Sequence, residues 1–228
     1  MHLVMFDVDG TLVDNDHVEA MLFNKALKDV LDIDIKDEWD SYTHVTDPGI
    51  LVEAVHKHQN RTLSEKEYDA VRDYFCDLLF DTIMEKPETA TATKGGLALF
   101  NDLMADDTVQ VAVATGAWGP SAALKLGTAG YDIEKLVMAT GDDEAERTEI
   151  MMTSYERAIE RSGVEQFETI TYIGDAKWDV IATAALGWRF IGVGEKVKDV
   201  PVWLADFADE TATRKALNLV SPKAPTVN

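Results

Sequence analysis

Four short apolar runs, each stopping at glycine or at a side chain that bonds or ionises, narrow what this chain can fold into. Residues 3–6 run into Asp7, and residues 109–114 into Thr115-Gly116. Residues 169–173 run into Gly174-Asp175, and residues 188–193 into Gly194. Each has the length of a buried strand, and helical patterns lie between them. Residues 150–162, stopped by Gly163, and residues 178–186, stopped by Gly187, carry apolar side chains at helical spacing. Strands alternating with helices predict an α/β protein with a Rossmann-like parallel sheet and helices on both faces. Ligands bind such sheets beyond the carboxyl ends of the strands, which is where Asp7, Thr115 and Asp175 fall.

The stretch from about residue 14 to about residue 93 has another texture. Residues 18–30 and 68–84 repeat apolar side chains at helical spacing. Asp47-Pro48 reads as an N-cap followed by a first-turn proline, opening a helix that runs to His56. No strand is expected in this region. It reads as an all-helical insert that returns to the main domain at Lys94-Gly95-Gly96. The expected organisation is a core of residues 1–14 and 94–220, a helical domain of residues 15–93, and a loose tail at 221–228 containing Pro222 and Pro225. A chain of 228 residues accommodates such a pair.

Charge excludes several partners. Forty-two Asp and Glu against 21 Lys and Arg give a net charge of −21, which leaves no basic footprint for nucleic acid or an anionic membrane. The field also repels a small phosphorylated metabolite at long range. Salt screens it over about 8 Å, so charges inside a cleft decide binding. No apolar run approaches the ~20 residues of a membrane span. The absence of a basic leader and the single cysteine, Cys76, predict a cytoplasmic protein without a disulfide. Oligomeric state is open between monomer and homodimer.

Asp7-Val8-Asp9-Gly10-Thr11, directly after a buried strand, is the segment with the most chemistry. Asp and Gly are common in turns, so an acidic turn is the bland reading. A calcium loop requires Gly at its sixth position, where this chain has Leu12. With the later strand ends, the segment resembles the haloacid dehalogenase superfamily of phosphatases and phosphotransferases. Its Asp-x-Asp-x-Thr motif matches Asp7, Asp9 and Thr11. Its strand-ending hydroxyl matches Thr115, its basic residue before a later helix matches Arg147, and its Gly-Asp-x-x-x-Asp matches Gly174-Asp175 through Asp179. The order is the family's, over most of the chain. Relatives often have Lys followed by Pro where this chain has Arg147-Thr148, so Lys177, inside the fourth motif, is the alternative cation.

The resemblance implies a phosphomonoester hydrolase. Asp7 would be the nucleophile, forming an aspartyl-phosphate that water then breaks. Two anions approach only beside fixed positive charge. Mg²⁺ supplies it and takes oxygen ligands, for which Asp7, Asp175 and, by the resemblance, the backbone carbonyl of Asp9 are the candidates. Arg147 would fork onto the phosphate, assisted by Thr11, the Thr115 hydroxyl and the backbone around Gly116. Asp9 would act as general acid and base, its acidity weakened by crowding from Asp7 and Asp175. Asp179, one helical turn beyond Asp175, would orient a metal-bound water or Arg147.

An acid at position 9 favours C–O–P cleavage over halide displacement. The insert resembles the small C1 cap of the family, as in phosphoglycolate phosphatases and β-phosphoglucomutases. A mutase and a non-catalytic binding protein on the same fold are the rival readings. Within the insert, Thr46 and Asp47 are expected to cap a helix and His44 to lie at the surface. His56 and His58, two apart, point to different helix faces and cannot share a metal. Trp118 is either a stacking platform or core, and Cys76 is packing.

Overall fold

The first apolar run forms β1 (His2–Phe6), and its position explains why it carries no polar side chain after His2. It lies at the centre of the sheet, pairing in parallel with β4 (Val109–Ala114) on one side and β6 (Thr169–Gly174) on the other. Three further strands complete an all-parallel, six-stranded sheet in the order β5-β4-β1-β6-β7-β8. They are β5 (Val137–Ala139) and, beyond β6, β7 (Arg189–Val193) with β8 (Trp203–Leu204). The structure is a computed structural model, and it describes residues 1–15, 18–35 and 39–219. The expected loose tail at 221–228 lies outside those residues.

Alternation along the strands builds two cores. Val4, Phe6, Val111, Val113 and Ile173 face one side, and Leu3, Met5, Ala112, Ala114 and Tyr172 the other. The second face is covered by α6 (Arg147–Ser162) and α7 (Lys177–Leu186) through Ile150, Met151, Ala158 and Ala182. On the first face, Phe100 and Leu103 of α4 (Gly96–Met104) pack beneath Phe6. A short α8 (Glu210–Leu217) closes the described chain. Among the described residues no helix is long and apolar enough to cross a membrane.

The insert between β1 and β4 is helical, as its periodicity predicts: α1 (Val18–Leu31), α2 (Asp47–Gln59) and α3 (Glu65–Glu85). Ser64 and Glu67 form a reciprocal capping box that starts α3. Phe23 of α1 and Phe75 of α3 meet edge to face at 5.7 Å. Both rest on Trp118, which lies at the start of α5 (Gly119–Thr128) in the core domain. Two details correct the sequence reading, and a third decides between its alternatives for Trp118. The N-cap of α2 is Thr46, whose hydroxyl accepts from the Gly49 N–H, and Asp47 is the first helical residue. The insert's ends do carry strand, because β2 (Val13–Asp14) pairs antiparallel with β3 (Thr91–Ala92) where the chain leaves and re-enters the core. Trp118 is fully buried and donates its ring N–H to Tyr68, which makes it core rather than a platform.

Candidate active site

The carboxyl ends of β1, β4 and β6 open onto a cleft of about 1240 Å³ between the sheet and the insert. Asp7 follows β1 with its backbone N–H bonded to Ile173, and Asp175 follows β6, so parallel pairing brings two carboxylates side by side. Asp179, in the first turn of α7, joins them. Oxygens of Asp7, Asp175 and Asp179 lie within 4.8 Å of one another, all three residues buried. Gly10 makes the approach possible. Its φ of +74° is unfavourable for other residues, and a Cβ there would fall 2.3 Å from an Asp175 oxygen.

Arg147, the first residue of α6, reaches into this cluster. Its Nη1 lies 3.0 Å from Asp179 Oδ1 and 3.4 Å from Asp7 Oδ1, while Nη2 donates to the Val45 carbonyl of the insert at 3.1 Å. Asp179 therefore touches the arginine, one of the two groups it is expected to orient. Tyr172 stands beside both groups and donates to the Ala114 carbonyl at 2.9 Å. Lys196, on the loop after β7, donates to Asp175 at 2.6 Å. Burial and then repulsion from Asp179 hold the Asp7 carboxyl well above the usual carboxylate range, against the pull of Arg147. Burial raises Asp175 also, and pushes Asp179 up to about 6. Hard oxygen donors that crowd and repel one another suit a divalent cation, whose charge would relieve the repulsion. The acidic cluster fits a magnesium site.

Asp9 faces the same cleft but has different company. Lys125, from α5, is completely buried, and its Nζ donates to both Asp9 oxygens at 2.6 and 2.8 Å and to Glu19 at 2.6 Å. Asn15 bridges the same pair, donating to Asp9 and Glu19 at 2.8 Å each. Thus the contacts of Asp9 are a cation and an amide rather than the crowding carboxylates expected from the sequence. Burial and then the Asp9 charge raise the Glu19 carboxyl well above its ordinary range. Lys125 did not emerge from motifs. A signal existed: Ser121, Ala122, Lys125 and Leu126 form the buried stripe of α5, and a lysine on such a stripe needs anionic partners.

Of the other residues singled out from sequence, Thr115, Gly116 and Lys177 line the cleft. The Thr115 hydroxyl accepts from the Ala117 N–H at 3.2 Å. A Cβ on Gly116 would meet Arg147 Nη2 at 2.8 Å, so the backbone approaches the guanidinium closely there. Thr11 is not brought to the cleft; it is fully buried and its backbone carbonyl accepts from Thr93. His56 and His58 are exposed on α2. Burial pushes the Cys76 thiol up to about 12, which leaves it unreactive.

The insert loop before α2 lies against the core. Thr46 donates to the Ala145 carbonyl at 2.7 Å, and Asp47 accepts from the Trp118 N–H at 2.9 Å. Burial pushes the Asp47 carboxyl from an ordinary 3.8 up to about 7, against the pull of Lys125. Between those values the folded protein holds more protons here than the unfolded chain, so this group's contribution to stability falls as pH rises. Asp47→Asn should remove a slope approaching about 1.4 kcal/mol per pH unit. Urea unfolding at pH 5 and pH 7.5 measures it. Identical pH dependence in the two proteins would contradict the assignment.

A family model described as haloacid dehalogenase-like hydrolase matches residues 1–187. The chain belongs to that family. Solved structures share its fold at low identity. A hydrolase from Pseudomonas syringae superposes with a TM-score of 0.71 at 18% identity, covering 92% of this chain and 96% of its own. A β-phosphoglucomutase from Clostridium difficile gives 0.66 at 16% identity, covering 95% and 97%. The Rhodobacter sphaeroides protein CbbY, solved with xylulose-(1,5)bisphosphate, gives 0.65 at 19% identity, covering 91% and 95%. No curated protein matches the chain. Helices α1–α3 occupy the place of the C1 cap in these folds.

Proposed function

We propose that the chain is a magnesium-dependent phosphatase that cleaves a small phosphate monoester through an aspartyl-phosphate on Asp7. The observation that carries this reading is the placement of Asp7. It stands at the end of the central strand, within reach of Arg147, facing a cleft it shares with a second carboxylate, Asp9, that has separate hydrogen-bond partners. Asp7 attacks phosphorus, and the ester oxygen leaves with a proton from Asp9. Asp9 then takes a proton from the water that breaks the acyl phosphate, returning Asp7. Arg147 and the backbone around Thr115 and Gly116 hold the phosphate oxygens. Bound magnesium, held by Asp7, Asp175 and the Asp9 carbonyl, would supply the charge that lets two anions approach.

The company of Asp9 is compatible with both roles. Asp9 and Glu19 share one buried ammonium, so the trio carries one excess negative charge when both are ionised and none after taking up a proton. Phosphate release from small esters, with magnesium and with excess chelator, tests the function; release unaffected by chelation would contradict it. Asp9→Asn tests the acid. It should reduce turnover of alkyl phosphates by a factor of roughly 10²–10⁴, and that of 4-nitrophenyl phosphate, whose leaving group needs no proton, far less. Equal losses would remove Asp9 from that role.

A further inference from the structure

The insert supplies one wall of the cleft, the wall that a phosphate ester presents its alcohol to if the phosphate sits at Asp7 and Arg147. That wall has a one-sided character. Glu19 and Asp47 contribute carboxylates to it, and Phe23, Trp39, Val45 and Ile50 contribute apolar surface. Among the described insert residues that line the cleft there is no Lys, Arg or His. Three of the described insert cations are engaged elsewhere: Lys25 with Asp29, Arg61 with Glu67, and Arg72 with Asp142 of the core. Lys125, behind the wall, is unexposed and already bonded to Asp9 and Glu19. The cationic lining comes from the other side, from Arg147, Lys177 and Lys196, with Lys94 at the insert's re-entry point.

From this asymmetry we infer that the substrate is a phosphate monoester whose alcohol carries no second anionic group and presents hydrogen-bond donors, hydroxyl or ammonium, to Glu19 and Asp47. The inference rests on the phosphatase reading above and narrows it. A carboxylate or second phosphate on the alcohol would be desolvated against two carboxylates whose nearest cation, Lys125, is already shared with Asp9, with no other cation on this wall among the described residues, an arrangement that costs affinity steeply. Hydroxyls or an ammonium would find acceptors, and the carbon skeleton would find the aromatic and aliphatic surface. Phosphoglycolate, the substrate of one group of capped phosphatases that the insert resembles, is thereby disfavoured. So is a mutase cycle in which the phosphoenzyme phosphorylates a second hydroxyl, because the resulting bisphosphate needs an anion pocket on this wall. The bisphosphate bound by the Rhodobacter sphaeroides neighbour is of the type this wall repels.

Three esters of equal length isolate the charge: 2-hydroxyethyl phosphate, phosphoethanolamine and 2-phosphoglycolate, each assayed for phosphate release with magnesium. The first or second should exceed phosphoglycolate in kcat/KM by roughly 100-fold, since like charges juxtaposed in a site cost several kcal/mol. Which of the two leads distinguishes a neutral from a cationic alcohol. Glu19→Gln with Asp47→Asn should shrink the ratio by raising phosphoglycolate relative to the others. Phosphoglycolate turned over as well as its partners, or a ratio unmoved by the double variant, would overturn the inference. If the Asp7 chemistry itself fails, no ester is hydrolysed, and protection against thermal unfolding by the three esters reads the same preference. Best protection by phosphoglycolate would overturn it there too.

Discussion

Asp7→Asn is expected to lower phosphate release by at least roughly 10⁴-fold, the scale seen when a covalent nucleophile is removed, while the protein unfolds at the same temperature or a higher one. The second half follows from the local electrostatics. Asp7 is buried beside Asp175 and Asp179 and is repelled by the charges of Asp179, Asp9 and Asp175, so an amide of the same shape removes one charge from a repelling set. Loss of activity together with loss of the fold would mean that Asp7 is structural. Activity within tenfold of the parent would mean that another group attacks phosphorus. Thermal melting without added metal, beside initial rates with magnesium, separates these outcomes.

Lys125→Met should have the largest effect on stability, a loss of roughly 3–5 kcal/mol, because breaking a buried ion pair strands its partners. Here the partners are two carboxylates, Asp9 and Glu19, that lose their common cation at once. For a domain whose total stability is about 5–15 kcal/mol this is a large fraction. The deficit should grow with pH, since acid allows the stranded carboxylates to take up protons. Glu19→Gln in the Lys125→Met background should recover part of it, with a coupling energy above about 1 kcal/mol. Urea unfolding at two pH values provides the measurement. A Met variant within 1 kcal/mol of the parent, on that roughly 3–5 kcal/mol scale, would show that the ammonium contributes little.

Strand ends were the most legible part of the sequence, because a buried parallel strand is a continuous apolar run and its first polar residue marks the carboxyl edge. Asp7, Thr115 and Asp175 were placed together on that basis, and the structure brings them together. Arg147 had the weakest motif support, yet it reaches Asp7 from the first residue of α6. Strands β5 and β8 were missed because three and two residues carry no periodicity, and edge pairing alone defines them. Lys196 and Tyr172 were missed for another reason. Their partners, Asp175 and the Arg147–Asp179 pair, are brought near by sheet packing rather than by any sequence spacing. The pairing of Asp9 with Lys125 joins residues 116 positions apart, beyond the reach of local pattern.

The covalent step can be observed directly. Rapid quenching of the enzyme during turnover of a phosphate-labelled ester, followed by peptide mapping, should place the label on the peptide containing Asp7, and hydroxylamine should release it as an acyl phosphate. Label on another residue, or steady phosphate release with no labelled protein at any quench time, would contradict catalysis through Asp7.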